Sequence, residues 1–273
     1  MSKKSTNIQL AKQSLQIIEE GKYHNGKHEV LVGERVAKSV AGTFTVAPED
    51  WTKLTEKLPV ASNNTVVEVH HWSSNEAIFQ EHSGLKTAVL NFASAKNPGG
   101  GFLGGAVAQE ECLARSSSLY ASLIKDRTMY EFNRSQSTFL YSDYMIYSPG
   151  VLFWMTDQGD LLEEPAVVDV ITSPAPNKGA MIQNNRLHEM DEIAATFKGR
   201  IDKLFGLALS QQVECLVLGA WGCGVFRNDP SEVAACFKEA LEGKYRGQFK
   251  RVQFAIYGKK DDRTLHAFKQ VFE

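Results

Sequence analysis

The sequence predicts an α/β protein, a three-layer α/β/α sandwich built as one domain. Three observations carry that expectation. Apolar strand segments alternate with helix-period segments through the second half of the chain. The strands are apolar at consecutive residues, as in Val167–Ile171 and Cys215–Leu218, which suits a sheet covered on both faces. Two glycine-rich stretches follow directly on such strands, the first at 97–105 and the second from Gly219, and ligands of α/β sheets bind beyond strand ends. No linker, repeat or low-complexity segment divides the 273 residues.

Taken in order, residues 1–7 read as a frayed polar tail. Ala11, Leu15 and Ile18 recur at i, i+4 and i+7, which predicts an amphipathic helix over 8–20 that Gly21 ends. Residues 22–63 are mixed, with short β-like pieces near Val30 and Phe44. Thr65–Val69 reads as a strand, Ser73–His82 as a short helix and Thr87–Phe92 as an apolar strand. Gln109-Glu110-Glu111 leads a helix that is expected to continue through Leu113–Leu123, followed by a polar stretch to Ser137.

Val151–Met155 is a strand and Asp157-Gln158-Gly159-Asp160 a turn, so a hairpin is expected there. Val167–Ile171 is a strand that stops at Pro174 and Pro176. Ile193, Phe197, Ile201, Leu204 and Ala208 mark a helix over 188–212, and Cys215–Leu218 is a buried strand. Asp229-Pro230-Ser231-Glu232 is a helix start, with an N-cap acid, proline at the first helical position and an acid at the third. Val233, Phe237 and Leu241 give that helix its core face. Val252–Tyr257 is the last strand and 261–272 the last helix.

Composition narrows the class of function. With 43% hydrophobic and 23% charged residues the chain has the makings of a globular core, and no apolar run approaches a membrane span. The first residues carry two lysines but no apolar segment, so no secretory signal is expected. Cys112, Cys215, Cys223 and Cys236 lack CxxC spacing, which points to reduced thiols and a cytoplasmic setting, or a nuclear one in a eukaryote. The net charge of −2 argues against a protein that coats a polyanion with a broad basic face. An acidic substrate would be met in a local pocket.

Strand, glycine-rich loop and helix is the layout that brings backbone N–H groups against a phosphate. Here the loop is neither a dinucleotide fingerprint, since no G-x-G-x-x-G opens the helix, nor a P-loop, since no Gly-Lys-Ser/Thr follows. Two adjacent carboxylates follow instead. They make sense for a substrate with phosphates at one end and a glycosidic bond at the other.

Gly99-Gly100-Gly101, seven residues, then Gln109-Glu110-Glu111 resembles the signature of the poly(ADP-ribose) glycohydrolases. Leu218–Pro230 (LGAWGCGVFRNDP) is similar to that family's other ligand loop, and Tyr147–Asn177 to its microbial branch. The resemblance runs from about residue 10 onward. It implies a macrodomain-like sandwich with a mixed sheet, comprising an N-terminal extension over 1–63 and a core over 64–273.

It also implies roles. Glu111 would be the general acid/base that protonates the leaving oxygen of a ribose–ribose bond and then activates water. Burial and the charge of Glu110 would raise its pKa, and Glu110 would bind a hydroxyl of the released ribose. Gly99, Gly100 and Gly101 would wrap the distal ribose and diphosphate, with Gln109 grouped among the substrate-binding residues. Asn91 and Asn97 would either orient this loop or meet ribose hydroxyls. In the second loop Gly219, Ala220, Trp221, Gly222, Cys223, Gly224, Val225 and Phe226 would line the substrate. Gly222 and Gly224 would offer N–H groups to the diphosphate, and Phe226 would pack on the distal ribose. Trp221, though grouped with them, reads as core before contact, and Cys223 as a small residue of a tight loop. Ser116, Ser117 and Ser118 are expected in the helix of Glu111, and nothing marks one as a nucleophile.

No cofactor and no metal are implied, and His70, His71 and His82 fit no familiar ligand set. The expected partner is ADP-ribose or poly(ADP-ribose) attached to protein or nucleic acid, with no membrane and no obligate protein partner. Two rival readings share the pocket. One removes a single ADP-ribose from a protein, nucleic acid or small molecule. The other binds ADP-ribose without hydrolysis, a reader that would have no need of the acid pair.

Overall fold

The computed structural model describes residues 2–56, 58–258 and 262–273. Its centre is a seven-stranded sheet. In chain order the strands outside and inside it are β1 (Lys22–His24), β2 (Glu29–Leu31), β3 (Phe44–Val46), β4 (Val66–His70), β5 (Thr87–Phe92), β6 (Met145–Met155), β7 (Leu161–Ser173), β8 (Cys215–Leu218) and β9 (Arg251–Ala255). The large sheet runs β3-β6-β7-β5-β8-β9-β4, and β1 pairs with β2 apart from it. The block β7-β5-β8-β9-β4 is parallel, while β6 is antiparallel to both β3 and β7. The sheet is therefore mixed.

Strand alternation explains the three layers. Leu90, Ile171, Leu216, Leu218 and Phe254 point into one core with Trp51 of α3 (Trp51–Thr55), α9 (Ile193–Ser210), α10 (Pro230–Glu242) and α11 (Arg263–Phe272). Their neighbours Val89, Val170, Val217 and Ala255 point into a second core. Its helices are α4 (Ser74–Gln80), α5 (Gln109–Ser116), α6 (Leu119–Leu123) and α7 (Thr128–Ser135). The central strands carry apolar residues at consecutive positions, as in Ala88–Leu90 and Cys215–Leu218, because both of their faces are covered. Phe205 and Phe237 are fully buried in the first core, each worth about 1.5–3 kcal/mol relative to exposure. A third, smaller core joins α1 (Lys3–Glu20), β1, β2 and α2 (Gly33–Gly42) to Leu152 and Trp154 of β6. No helix among the described residues is long and apolar enough to cross a membrane.

Several expected boundaries move, each for a physical reason. The first residues are not a frayed tail: α1 begins at Lys3, capped by the Ser2 side chain on the Ser5 N–H, and Asn7 is buried against the Gly105 carbonyl. Gly21 ends α1 in the left-handed conformation, with its N–H on the Ile17 carbonyl. Residues before 64 supply β3, an edge strand of the main sheet.

The helix of Glu111 stops at Ser116 instead of running on to Leu123. Ser117 is extended and bridges Phe153; its hydroxyl bonds the Leu113 carbonyl and the Leu119 N–H, the kind of local bond that competes with a helix. Ser117 and Ser118 therefore lie outside that helix. The polar stretch before Ser137 contains α7, and α8 (Lys178–Gln183) follows β7. The hairpin forms with longer strands than expected, and α9 starts at Ile193 after a 3-10 turn over Leu187–Glu192. The Asp229 cap is as read: its carboxylate accepts from the Ser231 and Glu232 N–H groups. Of the last expected helix, residue 261 lies outside the described residues, and α11 is capped by Asp262.

Candidate active site

The site lies beyond the C-terminal ends of β7, β5 and β8, three adjacent parallel strands. The first glycine loop leaves β5 and the second leaves β8, so adjacency in the sheet brings them together. A Cβ on Gly219 would stand 3.0 Å from the ring of Phe92, at the end of β5. The segment after β7 joins them, since Gly179 of α8 donates its N–H to the Phe226 carbonyl at 2.8 Å.

The first loop begins with a tight turn. The Gly100 N–H reaches the Asn97 carbonyl at 3.0 Å, with Pro98 and Gly99 between, and Gly99 has φ 68°. Proline followed by a residue of positive φ is the pairing a type II turn requires. Asn97 is exposed, and its side-chain oxygen is 3.5 Å from Arg134. The loop then folds back on α5: the Gly101 N–H donates to Glu111 Oε1 at 2.9 Å. The N–H groups of Gly100 and Gly101 are thus already used within the protein, the first on the loop itself and the second on a carboxylate.

The two glutamates differ sharply. Glu110 is 2% exposed; its Oε2 accepts from the Ser94 N–H at 2.6 Å and its Oε1 from Asn91 Nδ2 at 3.2 Å. Burial pushes the Glu110 carboxyl up to about 8; the Ser94 and Asn91 bonds oppose that rise and the neighbouring Glu111 adds to it. The carboxyl lifted by burial and a like charge is thus Glu110. Adjacent residues on a helix point about 100° apart, and here that turns Glu110 under the sheet end and Glu111 to the loop. Glu111 is half-buried, with Oε1 anchored on Gly101 and Oε2 sequestered without a hydrogen-bond partner among the described residues.

Around them stand groups the sequence left open or missed. Asn91 is fully buried and also bonds Thr172 at 3.2 Å, while its Oδ1 has no partner. Asn91 therefore orients the buried acid from within the core. Tyr130, in α7, is fully buried with its hydroxyl unpartnered, and burial and the charge of Glu110 both raise its pKa. Gln109 has a different job from the substrate contact expected of it. Its Oε1 accepts the Phe92 N–H at 2.9 Å and its Nε2 donates to the Leu90 carbonyl at 2.8 Å and to Ser74 Oγ at 3.0 Å. The amide stands in for a paired strand and fastens the start of α5 to the end of β5.

In the second loop Gly222 has φ 74°, and a Cβ there would stand 2.6 Å from both Ala175 Cβ and Asn228 Nδ2. Only glycine lets the loop turn this close to the segment after β7. Asn228 holds the turn, donating to the Pro176 carbonyl at 2.8 Å and the Gly222 carbonyl at 3.0 Å. Among the described residues the N–H groups of Gly222, Gly224, Val225 and Phe226 have no protein acceptor. Gly224 and Val225 are exposed and Ala220 is half-buried.

Trp221 is core and not contact: it is fully buried, and its indole N–H donates to the Ser173 carbonyl at 3.2 Å. Cys223 is half-buried, with burial raising its thiol far from thiolate character. Phe226 is half-buried and faces the ring of Tyr141 at 6.2 Å between centroids. Tyr141 has φ 61°, and the buried Arg200 holds its segment through the Leu140, Tyr141 and Pro174 carbonyls and Asp143. No periodicity in the sequence marks Tyr141 or Arg200.

Two of the histidines are engaged elsewhere. His70 stacks on Trp72 with 3.9 Å between ring centroids, and His71 bonds the Gly258 carbonyl.

A family model described as "Microbial-type PARG, catalytic domain" matches residues 11–156. The chain is similar to the crystal structure of poly(ADP-ribose) glycohydrolase (PARG) from Thermomonospora curvata, with 42% identity over 98% of this chain and 100% of that one and a TM-score of 0.93. The same enzyme bound to the inhibitor ADP-HPD matches at 40% identity over 97% and 99%, TM-score 0.89. The Deinococcus radiodurans enzyme in complex with ADP-ribose matches at 43% identity over 87% and 97%, TM-score 0.84. A comparison with curated proteins found no match.

Proposed function

The chain belongs to the microbial-type poly(ADP-ribose) glycohydrolases, with their macrodomain-like fold, and on that premise we propose that Glu111 is the general acid/base with which it releases ADP-ribose from poly(ADP-ribose). The observation that carries the assignment is the state of the Glu111 carboxyl: one oxygen pinned by the Gly101 N–H, the other buried and unbonded. A buried polar atom without a partner is costly unless a ligand completes it.

In the proposed step Glu111 gives its proton to the leaving oxygen as the bond to the anomeric carbon breaks. The resulting carboxylate then takes a proton from water, whose hydroxyl joins that carbon, and Glu111 is restored. Glu110 sits beneath it, and the lone pairs left beside the Asn91 and Ser94 bonds serve a ribose hydroxyl. The unpaired N–H groups of Gly222, Gly224, Val225 and Phe226 make the second loop the diphosphate cradle. Phe226 and Tyr141 form the aromatic wall beside the distal ribose.

The acceptor side is where the reading is tested. Release of ADP-ribose should be followed side by side from an automodified polymerase, a mono-modified protein and modified DNA. Polymer is expected to be shortened to free ADP-ribose at the highest rate. Faster release from a mono-modified acceptor would reassign the enzyme to single ADP-ribose removal, and binding without release from any of the three would make the chain a reader. All four cysteines are free thiols, in keeping with a proposed cytoplasmic setting.

A further inference from the structure

We infer that Arg115 is a positioning residue for Glu111, holding the catalytic carboxyl in place through the backbones of two residues, Ala106 and Gly101, at the first glycine loop. The inference rests on the assignment of Glu111 just made. Four links close a circuit. Arg115 Nη1 donates to the Ala106 carbonyl at 3.0 Å. The Ala106 N–H donates to the Gly101 carbonyl at 3.3 Å. The Gly101 N–H donates to Glu111 Oε1 at 2.9 Å. Helix α5 itself joins Glu111 to Arg115, four residues on and so on the same face.

Arg115 is 6% exposed. Its guanidinium meets only neutral acceptors, the Ala106 carbonyl and, at 3.2 Å through Nη2, the thiol of Cys112; among the described residues it forms no ion pair. An unpaired buried cation is an expensive way to tie a loop to a helix. A planar fork, however, can hold a carbonyl and a sulfur at fixed angles, which a lysine ammonium cannot. The ends of the circuit are fixed from outside. Ser14 of α1 donates its hydroxyl to the Arg115 carbonyl and accepts the Trp154 indole N–H at 3.2 Å. Asn7 of α1 holds the Gly105 carbonyl, next to Ala106, at 3.3 Å. With Oε1 held at the end of this chain, the orientation of the carboxyl is set, and Oε2 is left buried and without a partner among the described residues.

The test compares Arg115→Met, which keeps the volume and removes every donor, with Arg115→Lys, which keeps the charge and one bond. Single-turnover release from polymer and calorimetric ADP-ribose binding would be measured well below each unfolding temperature. Arg115→Met is expected to lose about 100-fold in rate, the scale of a misplacement near 1 Å, with a smaller loss of affinity. Arg115→Lys is expected to recover part of the rate. In a Glu111→Gln background, Arg115→Met should take away no further rate, because the two act as one unit.

An unchanged rate, an equal loss of rate and affinity, an additive loss in the Glu111→Gln background, or failure of both variants to fold would each overturn the role of Arg115. Glu111→Gln measured alone separates the two assignments. Wild-type rate there overturns the role of Glu111 itself, and Arg115's with it. An inactive Glu111→Gln beside a fully active Arg115→Met overturns Arg115 only.

Discussion

Gly100 lies directly against the Glu111 carboxyl: a Cβ built on it would overlap Oε1 and stand 2.9 Å from Cδ and 3.1 Å from Oε2 of Glu110. The residue also has φ 57°, in the left-handed region. Both the conformation and the two acids therefore demand glycine. Gly100→Ala should fold at a cost of about 1–2 kcal/mol for the backbone. It should also lose about 100-fold in turnover, because the methyl displaces the acid by roughly an ångström. Urea unfolding gives the first quantity and single-turnover ADP-ribose release the second. Wild-type turnover in Gly100→Ala would show that the anchored position of Glu111 is not the one catalysis uses.

Glu111→Gln keeps the shape of the side chain and its bond from Gly101 but cannot give up and retrieve a proton. The rate should fall about 10²–10⁴-fold, the range for a lost general acid/base. ADP-ribose binding should persist, because the free N–H groups of the second loop are untouched. A variant that keeps more than about a tenth of the rate, short of that range, would return the glutamate pair to charges favoured at a helix start.

What could be read from the residues alone follows what is local. Cys215–Leu218 and the Asp229 cap were legible because a short apolar run and an N-cap carry their own signals. So was the pairing of glycine run and acids, a spacing within one loop. The different surroundings of Glu110 and Glu111 were not, because they depend on which of two adjacent side chains the helix turns inward. The break at Ser117 was hidden, since three serines also suit a helix; its cause is a bridge to Phe153, 36 residues away. The Gln109 amide looks like a ligand until its partners, Phe92 and Leu90 in β5, are known. Arg115 and Tyr141 make contacts that no spacing encodes.

Two aromatic residues of the second loop should separate cleanly. Trp221 is fully buried in the main core and Phe226 is half-exposed at the rim. Trp221→Ala should cost about 3–5 kcal/mol of stability, as for other buried aromatics. Phe226→Ala should leave stability less affected and, on the proposal that it forms a wall beside the distal ribose and sets the angle at which the bond meets Glu111, lower turnover more than it weakens ADP-ribose binding. Thermal unfolding with paired rate and binding measurements checks both. Equal losses of rate and affinity in Phe226→Ala would make it a general binding residue.

The buried acid sets a pH dependence whose sign can be worked out. Burial raises the Glu110 carboxyl from an ordinary 4.5 to about 8 in the folded protein. The folded state thus holds a proton that the unfolded chain releases near its ordinary value. The contribution to stability is full below about 4.5, declines as pH rises, and is lost once pH passes about 8. Glu110→Gln imitates the protonated acid at every pH. Its amide oxygen can accept the Ser94 N–H, and its NH₂ can donate to an Asn91 amide turned to present Oδ1, the atom now without a partner. The variant should therefore fold, lack this decline, and gain on the wild type as pH rises from 5 through 8, the span of that shift. Unfolding of both proteins in urea across that range measures the difference. A gap that stays constant with pH would mean that Glu110 carries no proton in the folded protein, and that the Ser94 and Asn91 bonds outweigh its burial.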